Sequence, residues 1–304
     1  MYTVEAGSIP VPAIEFIDDK PNRPGFRSGT VKRFAGVIAL TLVANLAACS
    51  ADKKVTPAKV KPTITNSQTT TTIRPTIVAE PRTSGYNSEH FIQAGAAQYG
   101  LQASGASVEL DQTKPKVNRI DEHSLMELAV ESADGRQAVE VGWIKSDTDP
   151  STPPKLFVYH WVDGKPACYD GCGFVPESNG HFAVGDPVEV GTTGRYAIEY
   201  SKIGWTVDYN GYGLGHFPEK LWKNFKKVGL VQAFGEVASS SLKPCTDMGN
   251  GKFGSSSGSA KIKYFKLNNS DTPVSFQPFE IYPSLYNVGF ATPTSVNIGG
   301  PGAC

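Results

Sequence analysis

From about residue 85 to its end, the chain consists of short apolar runs separated by Gly, Pro, Asn and Asp residues. The runs span roughly four to eight residues, which is a usual length for strands and too short for core helices. Most runs alternate apolar and polar positions or are rich in β-branched and aromatic residues. This pattern predicts one all-β domain over residues 85–304, built as a sandwich of two antiparallel sheets.

The candidate strands follow one another closely along this domain. They lie at 106–110, 124–131, 137–145, 155–162, 187–190, 195–200, 204–209, 229–237 and 260–265, with further short ones before the end. Residues 218–227 show a helical pattern, and Pro218 suits the first turn of a helix. We therefore expect one short helix beside the two sheets.

The beginning of the chain has the features of an exported protein. Residues 31–48 combine a basic start, an apolar run of about 14 residues and small residues before Cys49, which predicts a signal peptide and not a membrane span. The tetrapeptide LAAC at 46–49 resembles a bacterial lipobox, in which the cysteine becomes the lipidated first residue of the mature protein. We therefore expect Cys49 to anchor the protein to the outer face of the bacterial cell membrane.

The segments on either side of the signal have no globular character. Residues 1–30 carry prolines and charges of both signs, unlike the start of an export signal, so we interpret them as a non-native, disordered extension before a true start at Val31. Residues 49–84 are rich in Lys, Pro and Thr and nearly lack aromatic residues, so they cannot bury a core. This segment is typical of a tether between an anchor and a folded domain.

Composition excludes several function classes. The formal net charge is zero, so the chain lacks the basic surface that nucleic-acid binding requires. The five histidines show no spacing typical of metal ligands, and each is expected on the surface or in the core. We therefore expect neither a nucleic-acid partner nor a metal site.

Four cysteines remain once Cys49 is assigned to lipid, and an even number in an oxidising compartment predicts two disulfides. Four cysteines allow three pairings. The turn-forming YDG tripeptide favours joining Cys168 to Cys172, which pairs Cys245 with Cys304. A four-cysteine zinc site would need two close Cys pairs, which this spacing lacks.

Two glutamates stand inside apolar strand runs: Glu140 in QAVEVGW at 137–143 and Glu236 in LVQAFGEV at 230–237. A carboxylate there costs free energy unless it is paired, hydrogen-bonded or functional. Strand alternation puts Trp143 on the face opposite to Glu140, where it should pack in the core. The same alternation puts Gln232 and Phe234 on the face of Glu236, so these side chains could form the floor of one cleft.

Two glutamates that face one cleft can divide acid and base chemistry, because proximity of like charge favours one ionised and one protonated group. The ionised group would take a proton from water as the water attacks a carbonyl carbon. The protonated group would stabilise the oxyanion or protonate the leaving nitrogen. The alternative is that each glutamate lies on a solvated sheet face, as charges in antiparallel sheets commonly do.

A series of short motifs resembles the catalytic domain of the neprosin family from about residue 100 to the end. The motifs are VEVGW (139–143), PKLFVY (154–159), CYDGCGFV (168–175), GY (211–212), HFP (216–218), FGEV (234–237), TDMGNG (246–251) and GGPG (299–302). Their ordered recurrence is more specific than any one of them. The resemblance implies a β sandwich of the concanavalin or jelly-roll kind and the activity of a glutamic peptidase without a cofactor.

The resemblance also implies residue roles. In that family the glutamates of the two motifs that contain Glu140 and Glu236 form the catalytic dyad, and cleavage occurs next to proline. A proline ring needs an apolar, partly aromatic slot that does not require an amide N–H. We assign substrate binding to Gln232, Phe234, Trp205 and Tyr212, although Trp205 and Tyr212 are as well suited to a core. The expected protein is a monomer that acts on peptides or proteins, including proline-rich ones.

Two other functions fit the same predicted fold. A jelly-roll glycoside hydrolase also uses two carboxylates, but these would be expected close together on one strand or beside sugar-stacking aromatic residues. A lectin-like binding module of the cell envelope would need no catalytic dyad, since a fold can serve many functions.

Overall fold

The computed structural model describes residues 90–178 and 180–304. The predicted extension at 1–30, the signal peptide at 31–48, the lipidation site Cys49 and the tether at 49–84 all lie outside the described residues. Among the described residues, no helix is long and apolar enough to cross a membrane.

The described chain is built almost entirely of strands. In chain order they are β1 (His90–Ala103), β2 (Gly105–Asp111), β3 (Asp121–Glu131), β4 (Ala138–Lys145), β5 (Lys155–Val162), β6 (Lys165–Pro166), β7 (Val175–Pro176), β8 (Thr193–Ser201), β9 (Gly204–Tyr209), β10 (Tyr212–Pro218), β11 (Val228–Ser239), β12 (Ala260–Asn268), β13 (Gln277–Glu280), β14 (Asn287–Thr292) and β15 (Ser295–Gly299). A three-residue 3₁₀ helix, Glu219–Leu221, is the helical segment among the described residues.

The strands form two sheets in which neighbouring strands are antiparallel. The first sheet has seven strands in the order β13-β1-β11-β3-β4-β5-β6, and the second has eight in the order β14-β15-β12-β2-β8-β9-β10-β7. The two sheets pack face to face over a shared hydrophobic core. The prediction of an all-β antiparallel sandwich is therefore confirmed.

The core lies between the sheets and receives alternate residues of each strand. From β4 it takes Val139, Val141 and Trp143, and from β8 and β9 it takes buried aromatic residues such as Tyr196 and Trp205. Trp143 is fully buried, and its indole N–H donates a 3.1 Å hydrogen bond to the carbonyl oxygen of Asp111. The expected core position of Trp143 is confirmed.

Three elements differ from the sequence-based prediction. Strand β1 was not predicted, because its sequence HFIQAGAAQYGLQA is rich in Ala and Gly, which are poor strand formers. Residues 187–190 do not form a strand, and Pro187 makes only an isolated bridge to Lys155. The predicted helix at 218–227 is reduced to the 3₁₀ turn, because Trp222 and Phe225 leave it to bury their rings in the core.

The structure joins Cys168 to Cys172 and Cys245 to Cys304, the pairing that the sequence favoured. Buried Asp121 ties the second disulfide region to the first sheet. Its carboxylate accepts hydrogen bonds from the Thr246 hydroxyl at 2.7 Å and from the backbone N–H of Cys245 at 3.0 Å. The carboxyl terminus is thereby attached to the start of β3.

Candidate active site

The first sheet turns one face away from the core, and this outer face carries the acidic residues. Val139 and Val141 point into the core, so Glu140, which lies between them on β4, points to the outer face. Ala233 and Val237 of β11 also point into the core, which places Glu236 on the same outer face. The structure thus brings the two predicted carboxylates to one side of one sheet.

Glu140 is held in place by aromatic residues of the neighbouring strand β5. Its side chain is buried, and its backbone lies opposite Tyr159 of β5 and Ala129 of β3. The indole N–H of Trp161 donates a 2.8 Å hydrogen bond to Oε1 of Glu140. Such a bond to a carboxylate fixes its orientation.

Glu236 has two polar partners from the neighbouring strands. The side-chain amide of Gln93 on β1 donates a 2.6 Å hydrogen bond to Oε2. The Nε2 atom of His123 on β3 lies 3.2 Å from Oε1, and the imidazole is buried. The two oxygens of Glu236 are therefore oriented by different strands.

The register of the sheet sets the gap between the two glutamates. On β3, Glu140 lies opposite Ala129 and Glu236 lies opposite Leu125, an offset of four residues along the strand and two strands across. In a flat sheet this offset would separate their Cα atoms by about 16 Å, given ~3.3 Å per residue and ~4.8 Å between strands. The two glutamates are therefore not direct neighbours across the sheet.

A row of four residues crosses the sheet between the two glutamates: Gly95, Phe234, Glu127 and Gly142. A Cβ atom on Gly142 would overlap the carbonyl oxygen of Met126 and lie 2.8 Å from Cα of Glu127. A Cβ atom on Gly95 would lie 2.6 Å from Cα of Phe234. The glycines therefore permit a close approach of the flanking strands between the two glutamates.

Aromatic side chains cover the β5 side of this face. The ring of Tyr169 packs against Tyr159 with centroids 4.8 Å apart and meets Phe157 edge-on at 5.7 Å. Burial raises the pKa of the Tyr159 phenol well above its ordinary value, and Glu140 and Glu236 raise it further. Tyr159 therefore stays protonated, and its hydroxyl donates a 3.0 Å hydrogen bond to the carbonyl oxygen of Ala167.

Two of the four predicted substrate-binding residues lie on this face. Gln232 is buried on β11, and its amide donates a 2.5 Å hydrogen bond to Glu131. Phe234 is also buried, and its ring lies 6.1 Å from that of Phe279. Both residues therefore share the face of Glu236, as strand alternation predicted.

The other two predicted substrate-binding residues lie on the second sheet. Trp205 is fully buried in the core, where its indole N–H donates to the carbonyl oxygen of Phe225, so it takes the core position that the sequence allowed beside substrate binding. Tyr212 is half exposed on β10 and stacks on His181, with centroids 4.6 Å apart. The sequence places both residues on strands but does not say to which sheet each strand belongs.

We call the outer face of the first sheet, which carries Glu127, Glu140 and Glu236, the acidic face. Several residues on it were not predicted from the sequence. They are Gln93, His123, Glu127, Tyr159, Trp161 and Tyr169. The alternation of β3 did contain a signal for two of them. His123 and Glu127 point to the same face as Leu125 and Ala129, the residues that lie opposite Glu236 and Glu140. No signal of this kind exists for Gln93, because β1 itself was not recognised. Across residues 90–178 and 180–304, no group of three or more His, Cys, Asp or Glu residues is arranged to hold a metal ion.

Known proteins give two kinds of comparison. Solved structures with a similar arrangement include Scytalido-glutamic peptidase in complex with a peptide-based transition-state analogue, at 9% identity and a TM-score of 0.44, covering 69% of this chain and 98% of that one. They also include a Caenorhabditis elegans galectin, at 11% identity and a TM-score of 0.29, covering 52% of this chain and 98% of that one. Both identities and both TM-scores are low. The comparison with curated proteins gives no match.

The Neprosin family model matches residues 120–301, which is more than half of the chain. The match contains both Glu140 and Glu236 and runs from the start of β3 to the end of β15. The chain therefore belongs to the neprosin family of glutamic peptidases.

Proposed function

We propose that this protein is an exported, lipid-anchored endopeptidase in which Glu140 and Glu236 hydrolyse peptide bonds next to proline. One observation carries the proposal: two glutamates from strands far apart in sequence lie on the same sheet face, both buried and both oriented by hydrogen bonds. A carboxylate on a merely solvated face would be exposed and would need no such partners.

In the proposed reaction, the substrate backbone lies between the two carboxylates. The ionised glutamate takes a proton from a water molecule while the water oxygen attacks the carbonyl carbon of the scissile bond. The protonated glutamate then gives its proton to the leaving nitrogen as the carbon–nitrogen bond breaks. The products are a carboxylic acid and an amine, and the two glutamates have exchanged protonation states.

Aromatic side chains near the carboxylates support a preference for proline. Phe157, Tyr159 and Tyr169 form one apolar wall beside Glu140, and Phe234 lies on the Glu236 side. A proline ring can pack against such walls, and it offers no amide N–H that would need a partner there. We therefore propose that substrates are peptides or proteins with accessible proline residues.

The activity is tested with a quenched fluorescent peptide that contains one proline and with the same peptide carrying alanine instead. The wild-type protein should cleave the proline peptide at acidic pH and the alanine peptide much more slowly. Glu140→Gln and Glu236→Gln should each lower kcat/KM by about 10³-fold or more, while Glu109→Gln on the second sheet should leave it unchanged. Full activity of either dyad variant would rule out the proposed mechanism. A folded wild-type protein with no peptidase activity would favour a binding module.

The proposed location rests on the sequence and has its own test. Cys49→Ser should prevent lipidation, so the protein should move from the membrane fraction to the soluble fraction of bacteria that express the full chain. Incorporation of a labelled fatty acid should be lost in parallel. Unchanged membrane association and labelling in this variant would overturn the assignment of the anchor.

A further inference from the structure

Tyr169 lies in a small loop that is fixed to the acidic face. The disulfide between Cys168 and Cys172 closes the loop, with their Cα atoms 5.7 Å apart. Asp170 pairs with β5 through two hydrogen bonds: its N–H donates to the carbonyl oxygen of Val158 at 3.1 Å, and its carboxylate accepts from the Val158 N–H at 3.0 Å. These links hold the backbone on both sides of Tyr169.

The ring of Tyr169 reaches across the sheet from this loop. It contacts Tyr159 and Phe157 of β5, and on β3 it meets the imidazole of His123 edge-on, with centroids 6.4 Å apart. His123 is the partner of Glu236 and Tyr159 lies opposite Glu140, so the ring contacts a neighbour of each glutamate. Tyr169 thus lies over the gap that separates the two glutamates.

The phenol of Tyr169 keeps its proton at any pH at which the protein would act. Burial raises its pKa well above the ordinary value for tyrosine, and the carboxylates of Glu236, Glu127 and Glu140 raise it further. A phenol in this state can donate a hydrogen bond but does not become a charged acceptor.

This donor has no partner among the described residues. The hydroxyl of Tyr159, the indole N–H of Trp161 and one N–H of Gln93 donate within the protein, to Ala167 or to the two glutamates. The side chain of Tyr169 is partly exposed, and its hydroxyl oxygen is not enclosed by the protein. The hydroxyl is therefore open to a ligand that approaches the acidic face.

The chemistry of the proposed reaction needs a donor at this point. As water attacks, the carbonyl oxygen of the substrate becomes negative, and a face that carries Glu127, Glu140 and Glu236 repels that charge. A neutral O–H group that is already in place stabilises the oxyanion without reorganisation. We propose that Tyr169 is a catalytic residue that donates this hydrogen bond to the oxyanion, an inference that rests on the proposed peptidase function.

The test compares Tyr169→Phe with the wild-type protein on the quenched fluorescent proline peptide. Removing the hydroxyl should lower kcat by about 10²- to 10³-fold with little change in KM, because the bond forms in the transition state. The unfolding temperature should stay the same, since the hydroxyl has no partner in the folded protein. Tyr264→Phe, at an exposed tyrosine of the second sheet, is the matched control and should have the kinetics of the wild type.

A second measurement does not depend on turnover. A peptide phosphonate with proline beside the phosphorus mimics the tetrahedral intermediate, and Tyr169→Phe should bind it about 10²-fold more weakly than the wild type does. The affinity for the plain peptide is measured in the Glu236→Gln background, where the peptide is not cleaved. Adding Tyr169→Phe to that background should leave this affinity unchanged. If Tyr169→Phe has the kcat of the wild type while Glu140→Gln and Glu236→Gln are inactive, the role of Tyr169 is overturned and the peptidase function stands. An inactive wild-type protein would overturn both.

Discussion

The Nε2 atom of His123 lies 3.2 Å from Oε1 of Glu236, and both side chains are buried on the outer face of the first sheet. A surface ion pair in solvent would have little effect on either residue. In this buried setting, the imidazole and the amide of Gln93 together fix both carboxylate oxygens. His123 therefore acts on the reaction through the position of Glu236.

We predict that His123→Ala lowers kcat by roughly 10- to 100-fold, the equivalent of one hydrogen bond to a charged group. His123→Gln should recover part of this loss, because its amide can still donate to the carboxylate. Steady-state kinetics on the proline peptide decide the question. Equal kcat in the wild type and in both variants would show that His123 has no role in orienting Glu236.

We predict that Gly142→Ala destabilises the protein and removes its activity. The added Cβ atom would meet backbone atoms of Met126 and Glu127, so the pairing of β3 with β4 must shift. The cost should be about 1–3 kcal/mol or more, as for other overpacked sites, and should appear as a lower midpoint of urea unfolding. Gly213→Ala is the control, since its Cβ would have only ordinary contacts near 3.8 Å and should change little. A stable, active Gly142→Ala variant would contradict the close approach of the strands.

The two disulfides should affect different properties. The Cys168–Cys172 bridge closes a separation of 4 residues and the Cys245–Cys304 bridge one of 59, so chain entropy assigns them about 2 and about 4 kcal/mol of stability, respectively. Replacing the first pair by serine should release the loop of Tyr169 and lower kcat strongly. Replacing the second pair should mainly lower the unfolding temperature. The opposite pattern of losses would show that the first loop does not position a reacting group.

Acid stability should be limited by His160, which is buried against Phe217 and Trp222. Burial lowers the pKa of its imidazole to about 4, and its Nδ1 atom has no hydrogen-bond partner. The unfolded chain binds a proton there near pH 6.5, so the stability contribution is complete above that pH and is lost as the pH falls towards 4. The loss amounts to about 3 kcal/mol at most.

We therefore predict that His160→Phe resists acid better than the wild type. The two proteins should have similar unfolding free energies near pH 7, and the variant should be more stable near pH 4.5. Urea titrations at the two pH values measure this difference directly. A variant that loses as much stability between them as the wild type would assign the acid sensitivity to other groups.

Strand parity carried most of what the sequence could reveal about the site. It placed Glu140 and Trp143 on opposite faces of their sheet and put Gln232 and Phe234 on the same face as Glu236. This was possible because alternation is a local property of each strand. It could not assign strands to sheets, since that depends on pairing between distant segments. For this reason the sequence left Trp205 between a substrate-binding position and the core, and the structure places it in the core.

The remaining site residues depend on contacts that a single sequence does not encode locally. Gln93 lies on a strand whose alanines and glycines are poor strand formers, and which is stabilised by pairing with β11 and β13. Tyr169 reaches the acidic face only because its loop is attached to β5. The motif CYDGC predicted the disulfide and the turn, but not the side of the sandwich on which they lie.

A double-mutant cycle in Glu140 and Glu236 tests the central claim most directly. If the two glutamates act on one substrate as a single unit, Glu140→Gln and Glu236→Gln should each lower kcat/KM by about 10³-fold or more, and the double variant should be no more than about 10-fold worse than either. Losses that multiply in the double variant would contradict the account, because they would show that the two carboxylates act independently.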